Sequence, residues 1–186
     1  MNHYYYHGFE FLEGYVNSSV EKMIKILEEG LRTRNDIREF HDSEFNHICL
    51  YKKNDEYDYS QEDAVIHSAR GGWIDHCFVV IVDSEIDATK AETGIDTNLV
   101  DEWRCYHPID PSHFVGVALP LTFLEEYLNS ESHIEEDKID KELSKKNLEV
   151  LYQKAEILQI PIVDSDQDDF CDIFDSNNKT STHTLK

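Results

Sequence analysis

The pattern of apolar and polar positions predicts one early amphipathic helix, several later strands and one long helix towards the C-terminus. Apolar residues recur at helical spacing over 20–31, which predicts a helix there. Glu21 follows Ser18 by three residues, which is the spacing of a capping box, so the helix is predicted to begin at Ser18. Gly30 suits the C-terminal end of this helix. A second amphipathic pattern predicts a helix over about 139–158.

Short β-branched and aromatic runs predict the strands. The run 73–82 is almost continuously apolar, so we expect a strand that is covered on both faces. Pro120 suits the first turn of a short helix over 121–128. The remaining strand predictions are 4–9, 47–51, 102–106 and 114–119, and 160–163 is compatible with an edge strand.

The order of these elements favours an α+β fold, because one early helix is followed by several strands without regular alternation. A chain of 186 residues is expected to form one domain, with two small domains as the alternative. We expect a compact α+β domain over 1–125 and a helical extension over 126–163 that packs on it. Residues 164–186 are acidic and then rich in Ser, Thr and Asn, so a disordered tail is predicted there.

The net charge of the chain disfavours two classes of binding partner, nucleic acids and membranes. Asp and Glu number 39 against 17 Lys and Arg, which gives a formal net charge of -22. Such a surface repels phosphate backbones and anionic lipids, so we expect neither non-specific nucleic-acid binding nor membrane binding. The N-terminus has no basic start and no apolar segment of signal-peptide type, so the expected location is the cytoplasm.

The cysteines predict free thiols rather than a metal centre. They are widely spread and form no CxxC pair, so neither a disulfide framework nor a zinc site is expected. His76 and Cys77 are adjacent, and adjacent residues of a strand point to opposite faces, so they cannot easily share one ion. The four cysteines are Cys49, Cys77, Cys105 and Cys171.

Three short motifs could carry chemistry. A strand that ends in His7-Gly8 can present an imidazole while the bare glycine backbone lets a ligand approach. Tyr51 can stack on a planar heterocycle. Glu102, at the head of a strand, can stabilise a cationic transition state or accept a proton. Each residue taken alone is more often an ordinary core or surface residue.

In this order, the motifs resemble the ADP-ribosyltransferase-like superfamily, in its His-Tyr-Glu type with bacterial members. In that family a strand bearing His-Gly is followed by a helix and a second strand, then by a Tyr segment and a late Glu. Here His7-Gly8 precedes the helix over 20–31, whose ending ILEEGL is similar to the family's IL-x-x-GL turn. The stretch over 102–119 is similar to the Glu-bearing part of the family. The resemblance covers about residues 4–120.

The resemblance implies a split β-sheet core with an N-terminal helix and a C-terminal helical extension. It also implies an enzyme of the glycosyltransferase class that cleaves the nicotinamide–ribose bond of NAD and passes ADP-ribose to an acceptor or to water. His7 would bind the nicotinamide ribose, and the Gly8 backbone would hold the carboxamide. Tyr51 would stack on the nicotinamide, with Tyr57 or Tyr59 as alternatives. Glu102 would bind the ribose 2′-hydroxyl and stabilise the oxocarbenium-like transition state.

The acceptor is left open, and the negative charge favours a protein over a nucleic acid. Two other classes also stay open. Phe9 stands where family members usually have Ser or Thr, so the chain could be a non-catalytic acidic binding or regulatory module with a degenerate NAD site. In that case the helix over 139–158 would dock a basic partner. An acid/base hydrolase that uses His7 or His107 with a carboxylate is the third hypothesis. The oligomeric state is not predicted.

Overall fold

A mixed β-sheet forms the scaffold of the protein in the computed structural model, which describes residues 4–10, 16–33, 46–52, 76–91 and 101–167. Over these residues the sheet has seven strands in the order β4-β5-β2-β1-β3-β6-β7. Neighbouring strands are antiparallel except for β6 and β7, which are parallel. The elements are β1 (Tyr5–Glu10), α1 (Val16–Glu29), β2 (Ile48–Lys52), β3 (Cys77–Val82), β4 (Thr89–Lys90), β5 (Asp101–Cys105), β6 (Phe114–Leu119), α2 (Leu121–Asn129), α3 (Glu135–Leu158) and β7 (Ile162–Asp164).

One face of the sheet is covered by helices, and we call it the helix face. Helix α1 buries Val20, Met23 and Leu27 there, because these apolar residues recur every three or four positions. Their core partners from the sheet include Phe78 and Val80 of β3. Helices α2 and α3 add Leu124, Leu148 and Leu151 to the same cluster.

The opposite face, which we call the far face, has its own smaller apolar cluster. Side chains alternate along a strand, so Tyr6 lies on the far face while Tyr5 lies on the helix face. Val79 and Ile81 of β3 belong to the far-face cluster and are fully buried. All six residues of β3 are buried, so the prediction of a strand covered on both faces is confirmed over 77–82.

The strand predictions hold closely, but the predicted start of the first helix is wrong. Helix α1 begins at Val16, so Ser18 lies inside the helix and is not its cap. A residue distant in sequence serves the N-terminus instead: the carboxylate of Asp140 on α3 accepts a hydrogen bond from the Asn17 N–H at 3.3 Å. Helix α3 begins at Glu135, four residues before the predicted start. Acidic residues in its first turn suit the positive end of the helix dipole.

Gly30 ends helix α1 as predicted. Its φ is +83°, a left-handed conformation that glycine adopts without steric cost. A Cβ at this position would collide with the carbonyl oxygen of Ile109. The close approach lets Leu31 and Ile109 exchange two backbone hydrogen bonds of 2.9 Å, which tie the end of α1 to the loop after β5.

Helix α2 is capped by the strand that follows α3. Pro120 supplies no side-chain cap, and the carboxylate of Asp164 accepts hydrogen bonds from Leu121 N (2.9 Å) and Thr122 Oγ1 (2.8 Å). Asp166 accepts another from Phe123 N at 2.8 Å. Asp164 is the last residue of β7, so the sheet extends one residue into the segment predicted as a tail, and 168–186 lie outside the described residues.

The boundary predicted at 125 falls inside α2, and α3 packs on α1. In the part of the chain that the structure describes, no helix is both long and apolar enough to cross a membrane.

Replacement of Asp164 by Ala is expected to lower the free energy of unfolding by about 1–2 kcal/mol, because it removes the cap of α2 and leaves a helical N–H without a partner. Urea denaturation measures the loss, with Asp87→Ala in the exposed β3–β4 loop as the control. Equal stabilities of the two variants would contradict this assignment of the cap.

Candidate functional site

The structure places His7, Tyr51 and Glu102 on three adjacent strands. Strand β2 lies between β1 and β5 in the sheet. Tyr51 pairs with Tyr6 of β1 on one side and with Glu102 of β5 on the other. Directly opposed residues of an antiparallel pair have Cβ atoms about 5 Å apart, so the Tyr51 ring and the Glu102 side chain are immediate neighbours on the far face.

The line between β1 and β2, which we call the seam, joins the two strands at Tyr6 and Tyr51. On its other side, β1 pairs with β3. Next to the pair of Tyr6 and Tyr51, His7 Nδ1 lies 2.8 Å from the carbonyl oxygen of Cys49 in β2. The imidazole therefore reaches across the seam and bonds the backbone of the neighbouring strand.

The environment of His7 fixes its protonation state. Burial lowers the pKa of the imidazole below its ordinary value, and the positive charge of Lys22 lowers it further, while the bond to the Cys49 carbonyl works in the opposite direction. The ring is therefore neutral at pH 7. A carbonyl oxygen only accepts, so Nδ1 carries the hydrogen and Nε2 is left as a hydrogen-bond acceptor.

The structure does not put the His7 ring and the Glu102 carboxylate on the same face. Alternation places His7 with Tyr5 and Phe9 on the helix face, whereas Tyr51 and Glu102 are on the far face. Strands β1 and β5 are two strand spacings apart, or about 10 Å. The structure therefore brings Tyr51 and Glu102 together on the far face, and it does not bring the His7 ring to them.

Glu102 is held by its neighbour two positions along β5. The Arg104 Nε donates to Glu102 Oε1 at 3.0 Å, and the two side chains are 26% and 11% exposed. This bond raises the pKa of Arg104 above its ordinary value, so the guanidinium stays charged. The carboxylate is thus oriented and largely withdrawn from solvent, which strengthens its interaction with any positive charge placed next to it.

Two further residues, His47 and Cys49, lie next to Glu102 on the far face, and neither was predicted from the sequence as a site residue. His47, Cys49 and Glu102 offer ligand atoms that all lie within 4.8 Å of one another. The His47 ring also packs against Tyr106, with centroids 5.7 Å apart. The signal was present in the sequence, because His47, Cys49 and Tyr51 alternate along one predicted strand and so share a face. Neither CxxC spacing nor adjacency in the sequence detects ligands that alternate along a strand.

The other residues predicted for the site lie apart from Glu102 or outside the described residues. Gly8 pairs with Val79 of β3. His107 is exposed in the turn after β5, and its carbonyl accepts from the Cys105 thiol. Tyr57 and Tyr59 lie outside the described residues.

Cys49, Cys77 and Cys105 are free thiols, as predicted, and Cys171 is outside the described residues.

Comparison of the chain with protein-family models, with curated proteins and with solved structures gives no match.

The lowered pKa of His7 predicts a pH-dependent stability. Below about pH 6.5 the unfolded chain binds a proton at this residue that the folded chain resists. The free energy of unfolding should therefore fall from pH 7.5 towards pH 5.5 more steeply in the wild type than in His7→Asn, whose amide keeps a donor for the Cys49 carbonyl.

Urea unfolding at several pH values measures both slopes, and His133→Asn serves as a control at an exposed imidazole. Parallel curves for the wild type and His7→Asn would show that the folded state does not disfavour the charged ring.

Proposed function

We propose that the protein is an ADP-ribosyltransferase-like enzyme that cleaves the nicotinamide–ribose bond of NAD and transfers ADP-ribose to an acceptor. One observation carries the proposal: Tyr51 and Glu102, far apart in sequence, lie directly opposite each other on paired strands, and the strand of His7 lies on the other side of β2. This is the order of groups that the resemblance in the sequence implies, and the split β-sheet of that family would correspond to the seam.

Glu102 is the proposed electrostatic catalyst. When nicotinamide leaves, it takes the electron pair of the glycosidic bond, and positive charge develops on the ribose. A carboxylate that is 11% exposed and already oriented by Arg104 can stabilise this charge without reorganising. A nucleophilic oxygen or nitrogen of the acceptor then bonds to the ribose carbon and releases its proton to Glu102 or to solvent.

Tyr51 is the proposed binding group for nicotinamide, and His7 is the proposed positioning residue. The neutral His7 ring lies on the helix face and donates from Nδ1 to the Cys49 carbonyl, which holds β2 next to β1. Tyr51 is half-buried and lies next to Glu102, so its ring can stack on nicotinamide while the ribose faces the carboxylate. The Gly8 backbone follows His7 along the seam and would hold the carboxamide.

The anionic pyrophosphate of NAD requires local positive charge on a chain of net charge -22. Two lysines flank β1 on the helix face. The Lys22 ammonium lies 4.3 Å from the centre of the Phe9 ring, and the Lys52 ammonium lies 5.5 Å from that of Tyr5. Both ammonium groups lie on the helix face, opposite the face that carries Tyr51 and Glu102, so they do not supply this positive charge next to Glu102.

Replacement of Glu102 by Gln is expected to reduce nicotinamide release by about a hundredfold or more, because the amide keeps the shape of the side chain but loses its charge. NAD affinity should change little, since ground-state NAD carries less positive charge at the ribose than the transition state. Chromatographic assay of nicotinamide and calorimetric titration with NAD measure the two effects.

Glu126→Gln on the exposed side of α2 is the matched control. An unchanged rate of nicotinamide release in Glu102→Gln would remove this carboxylate from the mechanism.

A second candidate function, a non-catalytic acidic binding module, is favoured by one observation. Helix α3 exposes four large hydrophobic side chains: Ile139 (51%), Leu143 (43%), Tyr152 (44%) and Ile157 (74%). Such residues on an otherwise charged helix are suited to a partner surface. The calorimetric titration separates the two functions: micromolar binding of NAD supports the enzyme, and no binding at millimolar NAD supports the module.

A further inference from the structure

We propose that His47, Cys49 and Glu102 form a binding site for Zn²⁺ on the far face of the sheet. The proposal is based on the positions of three atoms: an imidazole nitrogen, a thiol sulfur and a carboxylate oxygen lie within 4.8 Å of one another. Cys49 and Glu102 belong to the paired strands β2 and β5, and His47 immediately precedes β2. The chain therefore already presents three different zinc-ligand types at one place.

The strand register places these ligands together. His47 immediately precedes β2 and Cys49 is within it, two positions apart, so both side chains are on the same face. Cys49 pairs with Arg104 of β5, and Tyr51 pairs with Glu102. Glu102 is therefore the diagonal neighbour of Cys49, at a distance that a long side chain can bridge.

The separations suit a small tetrahedral ion. Ligand bonds of about 2.0–2.3 Å around zinc place neighbouring ligand atoms roughly 3.3–3.8 Å apart. Side-chain rotations that move each atom by about an ångström suffice to close the site from its present spacing. Three protein ligands leave the fourth position to water, which is the arrangement of zinc sites with an open position. On binding, the Cys49 thiol releases its proton to solvent and the thiolate bonds the metal.

Arg104 is compatible with the metal. Its guanidinium bonds Glu102 Oε1, and a carboxylate has a second oxygen that can face the ion. A bond of this kind orients a ligating carboxylate, as partners of metal ligands commonly do. The net charge of -22 also raises the concentration of divalent cations at the surface. A thiolate ligand selects zinc over magnesium or calcium.

The site would also regulate the proposed enzyme, an inference that rests on the proposed function. Glu102 cannot both coordinate Zn²⁺ and stabilise the ribose cation with its full charge. Bound zinc should therefore inhibit NAD cleavage, and a chelator should restore it.

The test is a titration of the reduced full-length protein with Co²⁺ and then with Zn²⁺, in the absence of NAD. We expect one Co²⁺ per chain with a thiolate-to-cobalt charge-transfer band, which Zn²⁺ displaces. Cys49→Ser should abolish the band, and His47→Gln should weaken affinity at least tenfold in competition with a chromophoric chelator. Cys105→Ser is the matched control, because this thiol lies on the helix face of β5 and should not alter binding.

Unchanged metal affinity in folded Cys49→Ser and His47→Gln would overturn the proposal, since other acidic or histidine side chains would then bind the metal. Absence of a charge-transfer band in the wild type would also overturn it. Circular dichroism shows that each variant is folded. The titration contains no NAD, so its failure is independent of the proposed enzymatic activity, and a failure of NAD cleavage leaves the metal result intact.

Discussion

The register of β2 between β1 and β5 is the constraint on which the candidate site depends. Side chains alternate along a strand, so a slip of one residue would move Tyr51 to the opposite face and away from Glu102. The hydrophobic pattern opposes such a slip. Leu50 of β2 and Trp103 of β5 pair on the helix face, and Leu50 is fully buried there. The burial of apolar residues on the helix face thus determines which polar residues lie on the far face.

The helices hold this arrangement from the helix face. Helix α1 packs on the sheet, and α3 packs on α1. Asp140 of α3 accepts hydrogen bonds from the N-terminus of α1 and from the Tyr127 hydroxyl of α2, which links the three helices.

The sequence predicted most of the strands because their signal is local. The run over 114–119 is apolar and β-branched and lies between Pro111 and Pro120, so its bounds match the structure. The predicted start of α1 was wrong because the helix N-terminus is capped by Asp140, more than a hundred residues away in sequence. No local sequence pattern reveals such a partner. The candidate site was predictable only as an order of motifs. The pairing of Tyr51 with Glu102, and the nearness of His47 and Cys49 to them, depend on which strands become neighbours.

The two proposals both depend on one carboxylate of the far face. Glu102 has a permanent partner in Arg104, a neighbour in Tyr51 and potential co-ligands in His47 and Cys49. Its low exposure makes each of these interactions stronger than it would be in water. A cationic transition state and a divalent cation would both be drawn to it, and they would compete.

An experimental structure of the protein in complex with NAD tests the central claim most directly. The account predicts that the nicotinamide ribose lies on the far face, within hydrogen-bond distance of the Glu102 carboxylate, with the nicotinamide ring on Tyr51. A complex in which NAD binds away from these strands, or in which the ribose does not reach Glu102, would contradict it.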